Sequence, residues 1–220
     1  MRVTRNYMNA LLAANKKTSR KSSTRGRSQI NRQNPFASVV NTKQSSKVNS
    51  AQTNYQNMKN SAGEVQSSVS KLTDTGDNSV YARAEESGDK TIVTKQVKEF
   101  VEDYNSMVRS LKTSGSRVDN SYLNQLNAYA VMHHNALQAT GVTKRADGTL
   151  SVDESTLNAA SLEQLRSTWG SSSGFAAKAG TIAGSVQTTA VSGMNSLLAN
   201  SYSNILRNFG SSGSFFNFWG

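Results

Sequence analysis

VNSAQTNYQNMKNSAGEVQSSVSKL, residues 48–72, carries the clearest periodicity in this chain. Its apolar positions, Val48, Ala51, Tyr55, Met58, Ala62, Val65, Val69 and Leu72, advance by alternating steps of three and four. That spacing keeps one stripe along one side of an α-helix and marks a heptad seam. The intervening positions are mostly Gln, Asn and Ser, so charge pairs at the flanks do little to choose a partner. Gly63 weakens the helix by about 1 kcal/mol relative to Ala, and a mixed Ala and Tyr seam does not pack like a leucine zipper. The stretch is expected to be one wall of a larger helical bundle, with a coiled-coil helix over residues 36–73.

Toward the C-terminus, Asp74-Thr75-Gly76-Asp77-Asn78 breaks the helix and a polar link is expected to run to Lys90. A second helix should open near Thr91. Val93, Val97, Phe100, Val101, Tyr104, Met107, Val108 and Leu111 form one broad apolar face, opposed by Lys95, Lys98, Glu102 and Arg109, until Ser114-Gly115 stops it. A third helix is expected from about Asn120 to Ala139, with Leu123, Leu126, Ala130, His133 and Leu137 on one side and Gly141 as a left-handed stop. Val142-Thr143 and Thr149 to Val152 flank Asp147-Gly148, a turn pair, and predict a small β-ribbon over 142–152. Asp153 is placed to cap the next helix, Ser161 with Gln164 has the form of a capping box, and Trp169 anchors the end of this 91–169 module.

A further helix over 175–209 is read from Phe175, Ala179, Ile182, Val186, Ala190, Gly193 and Leu197, with Leu198, Tyr202, Ile205 and Phe209 on a neighbouring stripe. It is rich in Ala, Gly, Ser and Thr, which permits close approach and yields little by burial. The tail, 210–220, holds Phe215, Phe216, Phe218 and Trp219, four aromatics suited to docking on another surface or to tucking into the chain's own bundle.

Toward the N-terminus the character changes. Twelve of the 25 basic residues and none of the fourteen acidic ones precede Glu64, so the net charge of +11 belongs to one arm. Residues 1–35 form a basic arm expected to be largely disordered, with a short amphipathic start at Val3, Tyr7, Met8, Leu11 and Leu12 that needs a partner surface to become ordered. The run from Lys16 to Arg27 suits a solvated tail. It would also attract nucleic acid by counterion release, but it lacks interleaved aromatics and no helix-turn-helix or finger spacing follows it. By composition an acid-free, Arg- and Ser-rich start fits an organellar transit peptide as well.

Composition narrows the function classes. Only 35% of residues are apolar, which favours thin helical seams over a large core. There is no cysteine, so disulfides, thiolate chemistry and sulfur-based metal sites are excluded. No stretch reaches the roughly 20 apolar residues of a membrane span, and Ala10 to Ala14 is too short for a secretory core. The expectation is a mainly α protein: an elongated helical bundle or coiled coil with one small β-hairpin.

A search for chemistry returns little. Gly170-Ser171-Ser172-Ser173-Gly174 fits the Gly-x-Ser-x-Gly pattern of a nucleophile elbow, but such an elbow joins a strand to a helix, and here a helix precedes it. His133 and His134 are adjacent, about 100° apart on a helix, and cannot share a metal as i and i+4 partners do. Asp147 and Asp153 miss the spacing of a calcium loop, and turn plus cap explains both. No catalytic residue, metal site, cofactor or small-molecule substrate is expected.

Two phrases suggest a relationship. Val97-Lys98-Glu99-Phe100-Val101-Glu102-Asp103-Tyr104-Asn105 is followed by Gly141-Val142-Thr143 and then Asp147-Gly148-Thr149-Leu150-Ser151-Val152-Asp153-Glu154-Ser155-Thr156-Leu157. Their order and separation resemble the C-terminal region of hook-associated protein 2, the flagellar filament cap, over roughly residues 91–167. Met1-Arg2-Val3-Thr4 with Met8 and Leu11-Leu12 looks like the opening of flagellin-type axial proteins such as hook-associated protein 3. The resemblance implies a bacterial flagellar structural protein, self-assembling and exported through a type III channel without a cleaved signal; the alternative is a cytoplasmic, basic-armed adaptor binding nucleic acid non-specifically. With no room for a full cap's outer domains, a small axial or accessory subunit is expected. Its partners would be itself and flagellin or hook-associated proteins. Contacts are expected along the seams and ends, at Val3, Met8, Leu11, Leu12, Val48, Tyr55, Met58, Val65, Val69, Leu72, Phe100, Tyr104, Leu197, Ile205, Phe209 and the tail aromatics.

Overall fold

A computed structural model describes residues 42–211, with side chains from Val48 to Ser201 and at Ser203. The amphipathic start, the basic run and the aromatic tail lie outside the described residues.

The heptad stretch forms α1, Thr42–Thr73, and its stripe faces inward: Met58, Ala62, Val65 and Leu72 have no exposed surface. The apolar face over 91–111 forms α3, Thr91–Ser114, closed by Gly115 at φ 65°. The Ala- and Gly-rich stretch forms α8, Phe175–Ser211. With α4, Arg117–Met132, these helices close a ring in which α1 packs on α3 and α8, and α4 packs on α3 and α8. Both neighbours of α1 run antiparallel to it. Val69, Gln66 and Tyr55 lie against Gly180, Gly184 and Gly193 in turn, while Ser61 meets Ser110 at 2.9 Å and Lys71 meets Glu99 at 3.8 Å.

Because α1 is wedged between two helices, its buried sector is wider than its apolar stripe. Ser61 and Ser68 fill the extra width, 6% and 3% exposed. Ser61 bonds Ser110 and the carbonyl of Asn57, and Ser68 donates to the Asp103 carboxylate, so burial leaves neither hydroxyl unsatisfied. The core is centred on Phe100, Tyr104, Trp169 and Phe175, whose ring centroids lie 5.5–6.3 Å apart in tilted and edge contacts. Each such side chain stabilises by about 1.5–3 kcal/mol when buried. The Trp169 indole N–H donates to Thr140 Oγ1 at 3.1 Å, which lets its polar edge be buried too.

The small ribbon is present. Strand β1, Val142–Lys144, pairs antiparallel with β2, Leu150–Val152, in the register Val142 to Val152 and Lys144 to Leu150. Gly148 at φ 82° completes the turn, and Asp147 Oδ1 accepts from the N–H and hydroxyl of Thr149. Asp153 then caps α6, Glu154–Ala159, and Ser161 with Gln164 closes a capping box on α7, Leu162–Leu165.

Three expectations need correction. The link from Asp74 to Lys90 holds a helix, α2, Val80–Ser87: Ser79 accepts from the Ala82 N–H, Gly88 at φ 68° ends it, and Val80, Tyr81 and Ala84 supply a buried face. The third helix starts at Arg117 rather than near Asn120, because Ser116 and Asp119 form a reciprocal cap. It also does not run unbroken to Ala139. His133, at φ −99° and ψ 14°, separates α4 from α5, His134–Ala139, with its ring 6.4 Å from Phe175. Trp169 lies in a wider π turn, Arg166–Gly170, instead of a regular helix end.

Candidate interaction surfaces

The seam residues divide into two groups. Met58, Val65, Leu72, Phe100 and Tyr104 are fully buried in the chain's own bundle, so the helices that complete these stripes come from the same polypeptide. They line no open surface, and a partner would reach them only by opening the bundle. Val48, Tyr55 and Val69 are half-buried, as is Leu197. Ile205 and Phe209 fall on α8, with side chains outside the described set. Val3, Met8, Leu11, Leu12, Phe215, Phe216, Phe218 and Trp219 lie outside the described residues altogether.

The half-buried group has a geometric cause. Ser110 faces Ser61 and α3 stops at Ser114, so α1 upstream of about Asn57 runs beyond it. Among the described residues that part of α1 has only α8 beside it: Tyr55 lies against Gly193, where an added Cβ would come within 2.4 Å of the ring. Two helices cannot enclose each other's apolar faces as four can, and here Val191 and Leu198 of α8 stay 37% and 43% exposed. Among the described residues this α1–α8 ribbon is therefore left with apolar side chains partly uncovered.

The second construction joins the two sequence phrases. Asn105 follows Tyr104 on α3, and its side-chain amide bonds both backbone groups of Leu150: Nδ2 donates to the carbonyl at 2.9 Å and Oδ1 accepts from the N–H at 2.7 Å. The amide occupies the place of a neighbouring strand along the outer edge of β2. Tyr104 adds a long contact, its hydroxyl 3.4 Å from the Gly148 carbonyl, and burial pushes its phenol well above the usual range. Residues forty-five positions apart are thus locked together, and a Tyr-Asn pair within the apolar face of α3 was the readable signal.

A third surface was not anticipated. Val131 and Met132, 64% and 74% exposed, point away from the seam of α4 and line a hollow of about 390 Å³ with Ala130, His134, Asn135 and Lys144. Two consecutive apolar residues off the buried face were a sequence signal that the helical reading absorbed into the helix without asking what they face.

The chemical motifs hold the geometry expected of turns and caps. Ser171 and Ser173 bond each other at 3.0 Å in a loop between the π turn and α8, without the strand a nucleophile elbow requires. Asp153 accepts from the hydroxyls and N–H groups of Ser155 and Thr156, which hold its carboxyl down at about 2; Thr149 holds Asp147 below its ordinary value in the same way. Among the described residues no group of three or more metal-ligating acids or histidines converges, and no helix is long and apolar enough to cross a membrane.

No protein-family model, no curated protein and no solved structure matches this chain.

Proposed function

We propose that this chain is a structural subunit of the bacterial flagellum, similar in its middle third to the filament cap, and that it works by helix packing with itself or with flagellin-type and hook-associated neighbours. In this reading it leaves the cell without a cleaved signal and carries out no catalytic step. The observation that carries the proposal is the α1–α8 ribbon, which runs past the closed four-helix ring with apolar side chains uncovered. A seam half-finished within one subunit is what an assembly built by helix addition requires. The Asn105 to Leu150 bonds support the reading a second way, since they make the two resembling phrases one structural unit.

Coupled folding is the proposed mechanism: segments that cannot bury enough apolar surface alone become ordered when partner helices cover them. Electron microscopy of the purified protein mixed with filament fragments tests this. Extra density or rings at filament ends are expected; a monodisperse protein that leaves every end bare would sink the idea.

The basic arm favours a second reading, an adaptor that binds nucleic acid without sequence preference, because twelve bases precede the first acid. In that case DNA affinity falls steeply between 50 and 200 mM salt, on the order of a thousandfold for six phosphate contacts, and vanishes when residues 1–32 are removed.

A further inference from the structure

We infer that the α1–α8 ribbon is covered by the same ribbon of a second copy of this chain, packed antiparallel about a twofold axis at Leu198. This rests on the proposed role of the ribbon as an assembling surface and names its occupant. Past the ring, α8 leaves Val191 and Leu198 exposed, one heptad apart along one side of the helix. Half-buried Met194 stands between them, and in the sequence the same spacing continues to Tyr202 and Ile205. These five positions advance by three, four, four and three, so the stripe reads the same from either end.

That symmetry is what an isologous pairing requires, because each contact between two copies must recur with the copies exchanged. Turning a second α8 end for end about Leu198 sets Val191 opposite Ile205, Met194 opposite Tyr202 and Leu198 opposite itself. The antiparallel sense also opposes the two helix dipoles and sends the two rings to opposite ends of the contact. Two ribbons together supply four helices, the number with which each chain already closes its own ring.

Charge favours a copy over a foreign partner. Residues 48–58 of α1 and 179–206 of α8 hold no Lys, Arg, His, Asp or Glu, in a chain of net charge +11. A surface that selects a different protein ordinarily carries charges complementary to it. A strongly basic chain, by contrast, meets its own copy without repulsion only where charge is absent. Size then sets the strength. Twenty helical residues past Val191 span about 30 Å and two helix widths about 20 Å, or roughly 600 Å² a side. The total of about 1,200 Å² lies at the lower end of specific interfaces, so association is reversible and depends on concentration.

Sedimentation equilibrium of the full chain from about 1 to about 500 μM is expected to show monomer passing into dimer. Amide exchange in α8 beyond Leu197 should slow over the same range and recover on dilution. Leu198→Glu opposes two carboxylates at the axis and should weaken dimerisation more than about tenfold. The melting temperature of the dilute variant should not change, because Leu198 is exposed in the single chain. Since the chain has no cysteine, introduced thiols report orientation. With a short thiol crosslinker, Leu198→Cys should couple to itself, whereas Val191→Cys should couple only when mixed with Ile205→Cys. Ser196→Cys, exposed but off the stripe, should not couple. A chain that stays monomeric throughout, self-coupling of Val191→Cys, or undiminished dimerisation of Leu198→Glu overturns the proposal. A monomer that still decorates filament ends also overturns it and leaves the flagellar reading standing, with a foreign helix on the ribbon. A dimer with this coupling pattern that ignores filaments upholds it and removes the flagellar reading instead.

Discussion

Gly141 holds φ at 74°, and a Cβ there would meet the Asp153 carbonyl oxygen at 2.6 Å and the Leu157 N–H nitrogen at 2.7 Å. Conformation and space exclude a side chain together, and both obstacles are backbone, which cannot swing aside. Gly141→Ala is expected to cost about 3 kcal/mol or more, measured as a drop in the urea midpoint at constant m. Asn105 is the second residue on which the ribbon depends. Asn105→Ala leaves the N–H and C=O of Leu150 with no partner in a half-buried place, for about 1–3 kcal/mol, and should raise hydrogen exchange at Leu150 first. Asp153 makes the ribbon's cap sensitive to acid. Its hydroxyl and N–H donors lower its folded pKa from 3.8 to about 2, so the carboxylate's contribution is complete above the unfolded value and is lost as pH falls from 3.8 toward 2. Replacing Asp153 with Asn should flatten stability across that window, and an unchanged acid slope would show that the cap does not titrate as described.

Among the elements, those with long one-sided apolar patterns were legible and those stabilised by capping were not. Residues 48–72 and 91–111 were read correctly because each carries its stripe over many turns, and the hairpin because Asp147-Gly148 sits between short β-prone runs. Helix α2 escaped because three apolar positions, Val80, Tyr81 and Ala84, lie among Arg83, Glu85 and Glu86, and the segment is helical through its Ser79 cap and tertiary contact rather than its pattern. The break at His133 escaped because no Gly, Pro or other stop residue marks it in the sequence; what accompanies it is a tertiary contact, the His133 ring 6.4 Å from Phe175. The α1–α8 contact could be anticipated from the small residues of α8, yet not its register. A Cβ at Gly180 would lie 2.9 Å from Val69 Cγ1, so Gly180→Val forces the helices apart. Overpacking of that kind costs about 1–3 kcal/mol despite the better helix propensity of the new residue, and the sign of the change in thermal midpoint checks which effect wins.

At the scale of the molecule, burial is graded along one axis of the α1–α8 pair. Near Val65 and Val186, inside the four-helix ring, exposure is zero; near Tyr55 and Leu197, among the described residues, only α1 and α8 remain. Local opening free energies follow the contacts that opening must break, so stability should fall along the same axis while the ring unfolds as a unit. Amide exchange at neutral pH is expected to be slowest in α3, whose face from Val93 to Leu111 is buried throughout, and about a hundredfold faster in α1 upstream of Asn57 and in α8 beyond Leu197. Uniform exchange along both helices would mean the ribbon is as stable alone as inside the ring, and that its exposed Val191 and Leu198 demand no partner. Fast exchange in the free chain that slows on mixing with filament fragments, at those same amides, would locate the assembling surface on the ribbon, because only a covering helix removes both the fraying and the exposure.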